Sequence, residues 1–352
     1  MKGCVYLEEK RVTIKEIAEA LSVSPTTVTK ALTGKAQVSD KKRALIVKTA
    51  EEMGYKPNKF ARALVRGELK FGIVVPRMPA EFMRYLNEGI ARGLNEYADY
   101  KVKGLFHYFP DNTAVGQVEE ALQAAVEEGI DGLIFAPGFG SEAYRDMLCG
   151  IASKIPVVLF GQEMTDTGSV ATIHTDSDAL GRIAAQMLSI ALPSGGEAAI
   201  VTTSRRFTGH QRVIEGFMCE NEQNGGLAIR AVAENYDSAE QSYARAQELL
   251  EAHPGIQGIY VTSYNYLPVC RRLKECGRTD IAVVGHDLYP EMIPALTEGP
   301  LLAALYQNPI LQGQMAVRTL YEAVTEKKKP GEIVVKPEIV LRSNLECYRS
   351  VY

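Results

Sequence analysis

The chain has no tryptophan, and its six cysteines, Cys4, Cys149, Cys219, Cys270, Cys276 and Cys347, stand apart without CxxC spacing or a histidine alongside. That scatter argues against a zinc site or a redox pair and leaves buried or idle thiols as the reading. No stretch approaches the roughly 18 consecutive apolar residues of a membrane helix. The opening MKGCVYLEEKRV also lacks the apolar core of an export signal. A cytoplasmic protein without a membrane partner is therefore expected. Catalytic signatures are missing as well. PRMPAEF follows the first apolar run where a GxGxxG turn would stand. No GxxxxGK[ST] loop, GxSxG elbow or HExxH pair occurs, and the five histidines are dispersed. Neither enzyme activity nor a cofactor is expected.

What is present is a globular composition, 46% hydrophobic and 23% charged, spread over 352 residues. That length exceeds one ordinary core, so at least two domains are expected. The net charge of −4 conceals a division. Residues 1–70 hold 15 Lys and Arg against 8 Asp and Glu, and the remainder holds 24 against 35. A basic head on an acidic body suits phosphate binding, which points to nucleic acid.

Within the head, Thr13 and Glu16 have the spacing of a capping box. They open a helix whose Ile14, Ile17, Ala18 and Leu21 form one apolar stripe. After the break at Ser22-Val23-Ser24, Ser24 caps a second helix with Pro25 at its first position and Val28, Ala31 and Leu32 facing inward. Two short helices joined by a tight turn make a helix-turn-helix. A third helix, Lys41 to Met53, ends at Gly54 and brings Ala44, Ile46, Val47 and Ala50 to the core.

Residues 12–67, VTIKEIAEALSVSPTTVTKALTGKAQVSDKKRALIVKTAEEMGYKPNKFARALVRG, resemble the head and hinge of the LacI family of bacterial repressors without a gap. The resemblance implies that the second helix enters the major groove, with Pro25, Thr26 and Lys30 at base edges and Thr27 and Thr29 near phosphates; Thr13 and Ser24 join the candidate DNA-binding set. Lys30 stands where the family more often has Arg, so a bidentate fork is lost. Residues 58–66 are too short to form a stable helix alone in water. The resemblance implies that two such hinge segments pair in a homodimer over a pseudo-palindromic operator. Asn58, Ala61 and Arg62 would then touch double-stranded DNA while Leu64 wedges into the minor groove.

From Phe71 the chain alternates strand-like runs with amphipathic helices: 71–75, 101–106, 131–136 and 156–160, then 198–202, 228–232, 258–262, 281–285 and 301–305. Two series of βα units predict two parallel sheets. The expected fold class is thus α/β: a small all-α helix-turn-helix head followed by two Rossmann-like parallel-sheet subdomains with a ligand cleft between them, similar to type I periplasmic binding proteins. The expected division is 1–57 for the head and 58–69 for the hinge. One sensor subdomain would take 70–162 with about 303–329, and the other 163–302 with about 330–342.

Open parallel sheets bind ligands beyond the carboxyl ends of their strands. Phe82, Pro137, Phe139, Gln162, Thr262, Ser263, Asn265, Asp287 and Gln307 are therefore pocket candidates. Their mixture of aromatic faces, amides and hydroxyls suits a polyhydroxylated ligand. The family resemblance adds Asp176 and singles out Asp287 and Gln307 as effector contacts. Asp287 also has a competing reading as a helix cap. The segment GHQRVIEGF places Val213 where the family carries arginine, with Arg212 one residue earlier, about 100° around a helix. Arg212 stays a candidate, and Arg205, Arg206 and His210 are nearby substitutes. The expectation is a repressor whose operator affinity is switched by a sugar or sugar derivative. Ligand-dependent activation, a corepressor, or a receptor that binds no DNA are the alternatives.

Overall fold

A computed structural model describes residues 12–32, 38–55, 67–77, 81–110, 115–137, 141–161, 164 and 166–348. The chain divides into two compact units at Gly67.

The head is built from α1 (Ile14–Ala20), α2 (Pro25–Leu32) and α3 (Asp40–Glu52). Ile17, Ala18, Val28, Ala31, Ile46 and Ala50 form its buried centre. Ala44, expected inside, is exposed, because the face of α3 that turns inward is set by Ile46 and Ala50. Ser39 precedes α3 without a side-chain cap bond. Gly54 ends it at a φ of 71°, a left-handed conformation that glycine adopts without penalty.

The larger unit contains two six-stranded sheets. The first begins with β1 (Leu69–Pro76), α4 (Glu81–Glu96), β2 (Val102–Phe109), α5 (Val115–Glu127), β3 (Gly132–Phe135), α6 (Arg145–Ala152), β4 (Val157–Phe160) and β5 (Ala171–Thr175). The second follows with α7 (Ser177–Ala191), β6 (Gly196–Thr202), α8 (Thr208–Glu220), β7 (Leu227–Glu234), α9 (Ala239–Ala252), β8 (Ile256–Val261), α10 (Tyr266–Glu275), β9 (Ala282–His286), α11 (Ile293–Thr297) and β10 (Leu301–Tyr306). The chain then returns to the first sheet through α12 (Pro309–Glu326) and β11 (Gly331–Val335), and ends on the second with β12 (Glu338–Val340). Strand orders are β11-β5-β4-β3-β1-β2 and β12-β10-β9-β8-β6-β7. All pairs are parallel except β12 against β10.

All nine strands expected in the body are present, whereas β5, β11 and β12 are additional. They move the expected boundary: residues 171–175 and 331–335 belong to the first sheet, not to the second subdomain. The register explains the move, since β5 pairs with β4 from Val158↔Ala171 to Phe160↔Ile173, and β11 pairs with β5 in turn. His174 Nε2 lies 2.8 Å from Glu332 Oε1 across that last pair.

The two subdomains are joined by three crossovers of one or two residues: Asp176, Gln307-Asn308 and Lys336-Pro337. Each subdomain also has a helix pair that meets through glycine. A Cβ on Gly89 of α4 would lie 2.1 Å from the Ile310 carbonyl oxygen of α12, and one on Gly181 of α7 would lie 1.9 Å from the Val213 carbonyl oxygen of α8. Tyr85 of α4 crosses between the subdomains and stacks on Tyr289 with ring centroids 4.5 Å apart and planes 8° from parallel. Beside it, the Arg84 guanidinium binds Glu81 and lies 3.7 Å from Glu291 of the second subdomain.

Candidate functional site

The head's candidate surface is fixed by local hydrogen bonds. Thr13 and Glu16 form the full capping box, with Glu16 Oε2 accepting from Thr13 N at 2.7 Å and Thr13 Oγ1 accepting from Glu16 N at 3.3 Å. Ser24 Oγ accepts from Thr27 N at 3.1 Å and is 2.8 Å from Thr27 Oγ1, which sets the entry into α2. Pro25, Thr26 and Thr29 are exposed along one face, with Lys30 half-buried in the last turn. Thr29 Oγ1 donates to the Pro25 carbonyl at 3.0 Å, which leaves its oxygen as an acceptor. Asn58, Ala61, Arg62 and Leu64 lie outside the described residues.

In the larger unit, polar side chains collect at the carboxyl ends of the second sheet. Thr262, 1% exposed just after β8, donates to Thr202 Oγ1 at the end of β6 over 2.8 Å. Its oxygen lies 3.0 Å from Nδ1 of His210, in the first turn of α8. Since the threonine proton is committed to Thr202, the imidazole is the donor, so His210 carries its proton on Nδ1. Tyr260 OH lies 2.5 Å from His286 Nε2. Burial holds the phenol well above its ordinary range, so it donates and His286 is protonated on Nδ1. Desolvation pushes His210 down to about 4 and His286 to about 3, the latter aided by His210, so both rings are neutral at neutral pH.

Asp287, 2% exposed at a φ of 58°, is not a helix cap. Its two oxygens accept from Gln307 N at 3.0 Å and Gln307 Nε2 at 2.9 Å. Burial pushes its carboxyl up to about 7, against the lowering effect of both bonds. The pair thus ties β9 to a crossover, and Gln312 Nε2 extends the tie to the Gln307 carbonyl at 2.8 Å and to Thr175 Oγ1 at 3.1 Å. Asn265 Nδ2 donates to Asp237 Oδ1 at 2.8 Å. Ser263 Oγ accepts from Asn265 N at 3.3 Å.

The structure therefore brings Thr262, Ser263, Asn265, Asp287 and Gln307 to one end of one sheet. Phe82 is half-buried against the core of the first sheet, and Pro137 lies two residues beyond the end of β3. Asp176 is an exposed cap whose Oδ1 accepts from Ala179 N at 3.0 Å. Arg212 is exposed while Val213 is buried, which answers the one-residue shift: the inward position of α8 is apolar. Phe139 and Gln162 lie outside the described residues. Sequence reasoning passed over Thr202, Tyr260, His286, Asp237 and Tyr264. Only the place of each at the end of a strand-like run could have signalled them.

Both parts of the chain resemble known proteins. Residues 13–58 match the model of bacterial regulatory proteins, lacI family, and residues 71–329 match a periplasmic binding protein domain. The HTH-type transcriptional regulator MalR of Streptococcus pneumoniae is 23% identical over 339 residues, covering 92% of this chain and 95% of the relative. Catabolite control protein A of Priestia megaterium is 25% identical over 342 residues, covering 93% and 96%. Among solved structures, GanP, a glucose-galactose binding protein from Geobacillus stearothermophilus, aligns over 80% of this chain and 99% of its own with a TM-score of 0.71 at 23% identity. A Bacillus halodurans solute binding protein with bound myo-inositol aligns over 81% and 99% with a TM-score of 0.73 at 19% identity. Among the described residues no helix is long and apolar enough to cross a membrane.

Proposed function

The chain belongs to the lacI family of bacterial regulatory proteins, DNA-binding transcriptional regulators with a periplasmic-binding-protein-like sensor, and from that premise we propose that it is a cytoplasmic repressor, homodimeric on a pseudo-palindromic operator, released by a small sugar-like ligand. The observation that carries the ligand half is the set of hydroxyl, amide and carboxylate groups at the carboxyl ends of the second sheet, directly against the crossovers that join the subdomains. Related folds include a glucose-galactose binding protein and solute binding proteins solved with D-arabinose or myo-inositol, which supports a polyol.

Thr262, Ser263, Asn265, Asp287 and Gln307, with Phe82 from the facing subdomain, form the proposed contact set. Asp176, an exposed helix cap, and Arg212, exposed on α8, stand outside that set. In the head, Pro25, Thr26 and Lys30 read base edges, while Thr27, Thr29 and the caps Thr13 and Ser24 position the helix on phosphates. Asn58, Ala61, Arg62 and Leu64 complete the interface through the paired hinge segments.

Ligand closure changes the relation of the subdomains through Asp176, Gln307-Asn308 and Lys336-Pro337. It shifts operator affinity only by the ligand's differential affinity for the two states. The relatives' role as regulators supports a non-catalytic cleft. The test is recovery of genomic fragments on the purified protein, followed by titration of pentoses and hexoses against the best fragment. Enrichment of a palindrome that one sugar releases supports the reading. A folded dimer that enriches no site, or one that sugars never dislodge, sinks it.

A further inference from the structure

The chemistry of the proposed ligand can be narrowed from the charges around the cleft, an inference that rests on the cleft being the effector site. The cations in the loop at the polar end of the second sheet, Arg205 and Arg206 after β6, are exposed. His210 and His286 are neutral, and the hydrogen-bond directions leave His210 Nε2 with a lone pair, an acceptor. Arg212 is exposed on α8. Glu234 is already served by Arg205 N at 2.7 Å and Ser204 Oγ at 3.1 Å. Asp287 has both oxygens committed to Gln307. Glu81, at the start of α4 on the opposite wall, is bound by Arg84, which is shared with Glu291.

Asp237 is the remaining carboxylate. It sits in the left-handed region with a φ of 59°, beside the exposed ring of Tyr236, and accepts a single amide hydrogen bond from Asn265. Among the described residues no lysine, arginine or histidine forms an ion pair with it. Burial raises its carboxyl above the usual range, the sign of a charge without compensation. Next to it, burial, with the charge of Asp237 added, pushes the half-buried Tyr264 phenol up to about 12. A neutral sugar would donate hydroxyls to Asp237 but would leave its half-buried charge unpaired, whereas an ammonium would neutralise it and lie against an aromatic face.

We propose that the cleft takes a small polyol bearing a protonated primary amine, an amino sugar, whose ammonium is bound by Asp237.

The test is isothermal titration of the full-length protein with glucosamine, galactosamine and mannosamine, each against its parent hexose and its N-acetyl derivative. At least one hexosamine is expected to bind about tenfold or more tightly than both counterparts, equivalent to about 1.4 kcal/mol. In the wild type that preference fades as the amine is deprotonated at alkaline pH. Asp237→Asn is expected to bring amine and parent within about threefold, and Asp237→Glu to restore part of the preference, with ligand-free melting checking the fold of each. Parent hexoses binding as tightly as their amines would overturn the inference and leave the sugar-responsive reading standing. Absence of binding by every member of the panel overturns both.

Discussion

At the level of single residues, the acceptors and donors of the cleft are set by burial. Asp287→Ala strands two buried N–H donors of Gln307 and is expected to destabilise the fold by about 2 to 4 kcal/mol. Asp287→Asn costs much less, because the Gln307 side-chain amide can turn to accept; chemical denaturation separates the two. The histidines make stability depend on pH in a direction that can be worked out. Their folded values, about 4 and about 3, lie below the ordinary 6.5. The unfolded chain therefore takes up protons first as pH falls, and stability drops between about pH 6.5 and 4, on the order of 3 kcal/mol per ring. Asp287, raised to about 7, opposes this, since its contribution is lost as pH rises from about 4 to 7. Two rings outweigh one carboxyl, so unfolding free energy is expected to rise toward pH 6.5. His286→Gln should flatten that slope, and an unchanged slope would show that the ring titrates freely. In the head, Lys30→Ala is expected to weaken operator binding by about 1 to 2 kcal/mol in a gel-shift titration, and Thr13→Ala to cost the head about 1 kcal/mol.

Elements test packing rather than charge. Gly89→Ala forces a methyl group into the Ile310 carbonyl and is expected to cost about 3 kcal/mol. Gly150→Ala, in α6 with open space around it, is expected to stabilise by up to about 1 kcal/mol. Melting temperatures of the two variants should move in opposite directions. The central strands were legible because runs such as FGIVV and PVVLF are apolar throughout, as strands covered on both faces must be. ATIHT, GEIVV and EIV, the strands β5, β11 and β12, are short and partly polar, and β11 and β12 lie at sheet edges. Nothing local distinguishes them from loop. The candidate site was legible to the same extent. Thr262, Asn265 and Asp287 follow visible strands, whereas the links Thr262 to His210 and Tyr260 to His286 join residues 52 and 26 apart and depend on strand order.

Across the whole molecule, the three crossovers and the Tyr85–Tyr289 stack bind the subdomains into one thermodynamic partner set. Calorimetry is expected to show the sensor unit melting in a single transition; two well-separated sensor transitions would refute that coupling. The same connectivity dictates an order of events during synthesis. The head is complete by Met53, so its three helices can fold while most of the sensor is still unmade. The first sheet, by contrast, has four of its strands by Phe160 and its fifth by Thr175, yet waits for Pro309 to Glu326 to cover the face that Ala316, Val317 and Leu320 will bury. On the ribosome that face stays open while the whole second subdomain is translated, an interval in which exposed apolar strands favour aggregation. A nascent chain of this protein thus holds its DNA-reading end before it can obey any ligand, and chaperone demand should peak shortly before residue 309 emerges.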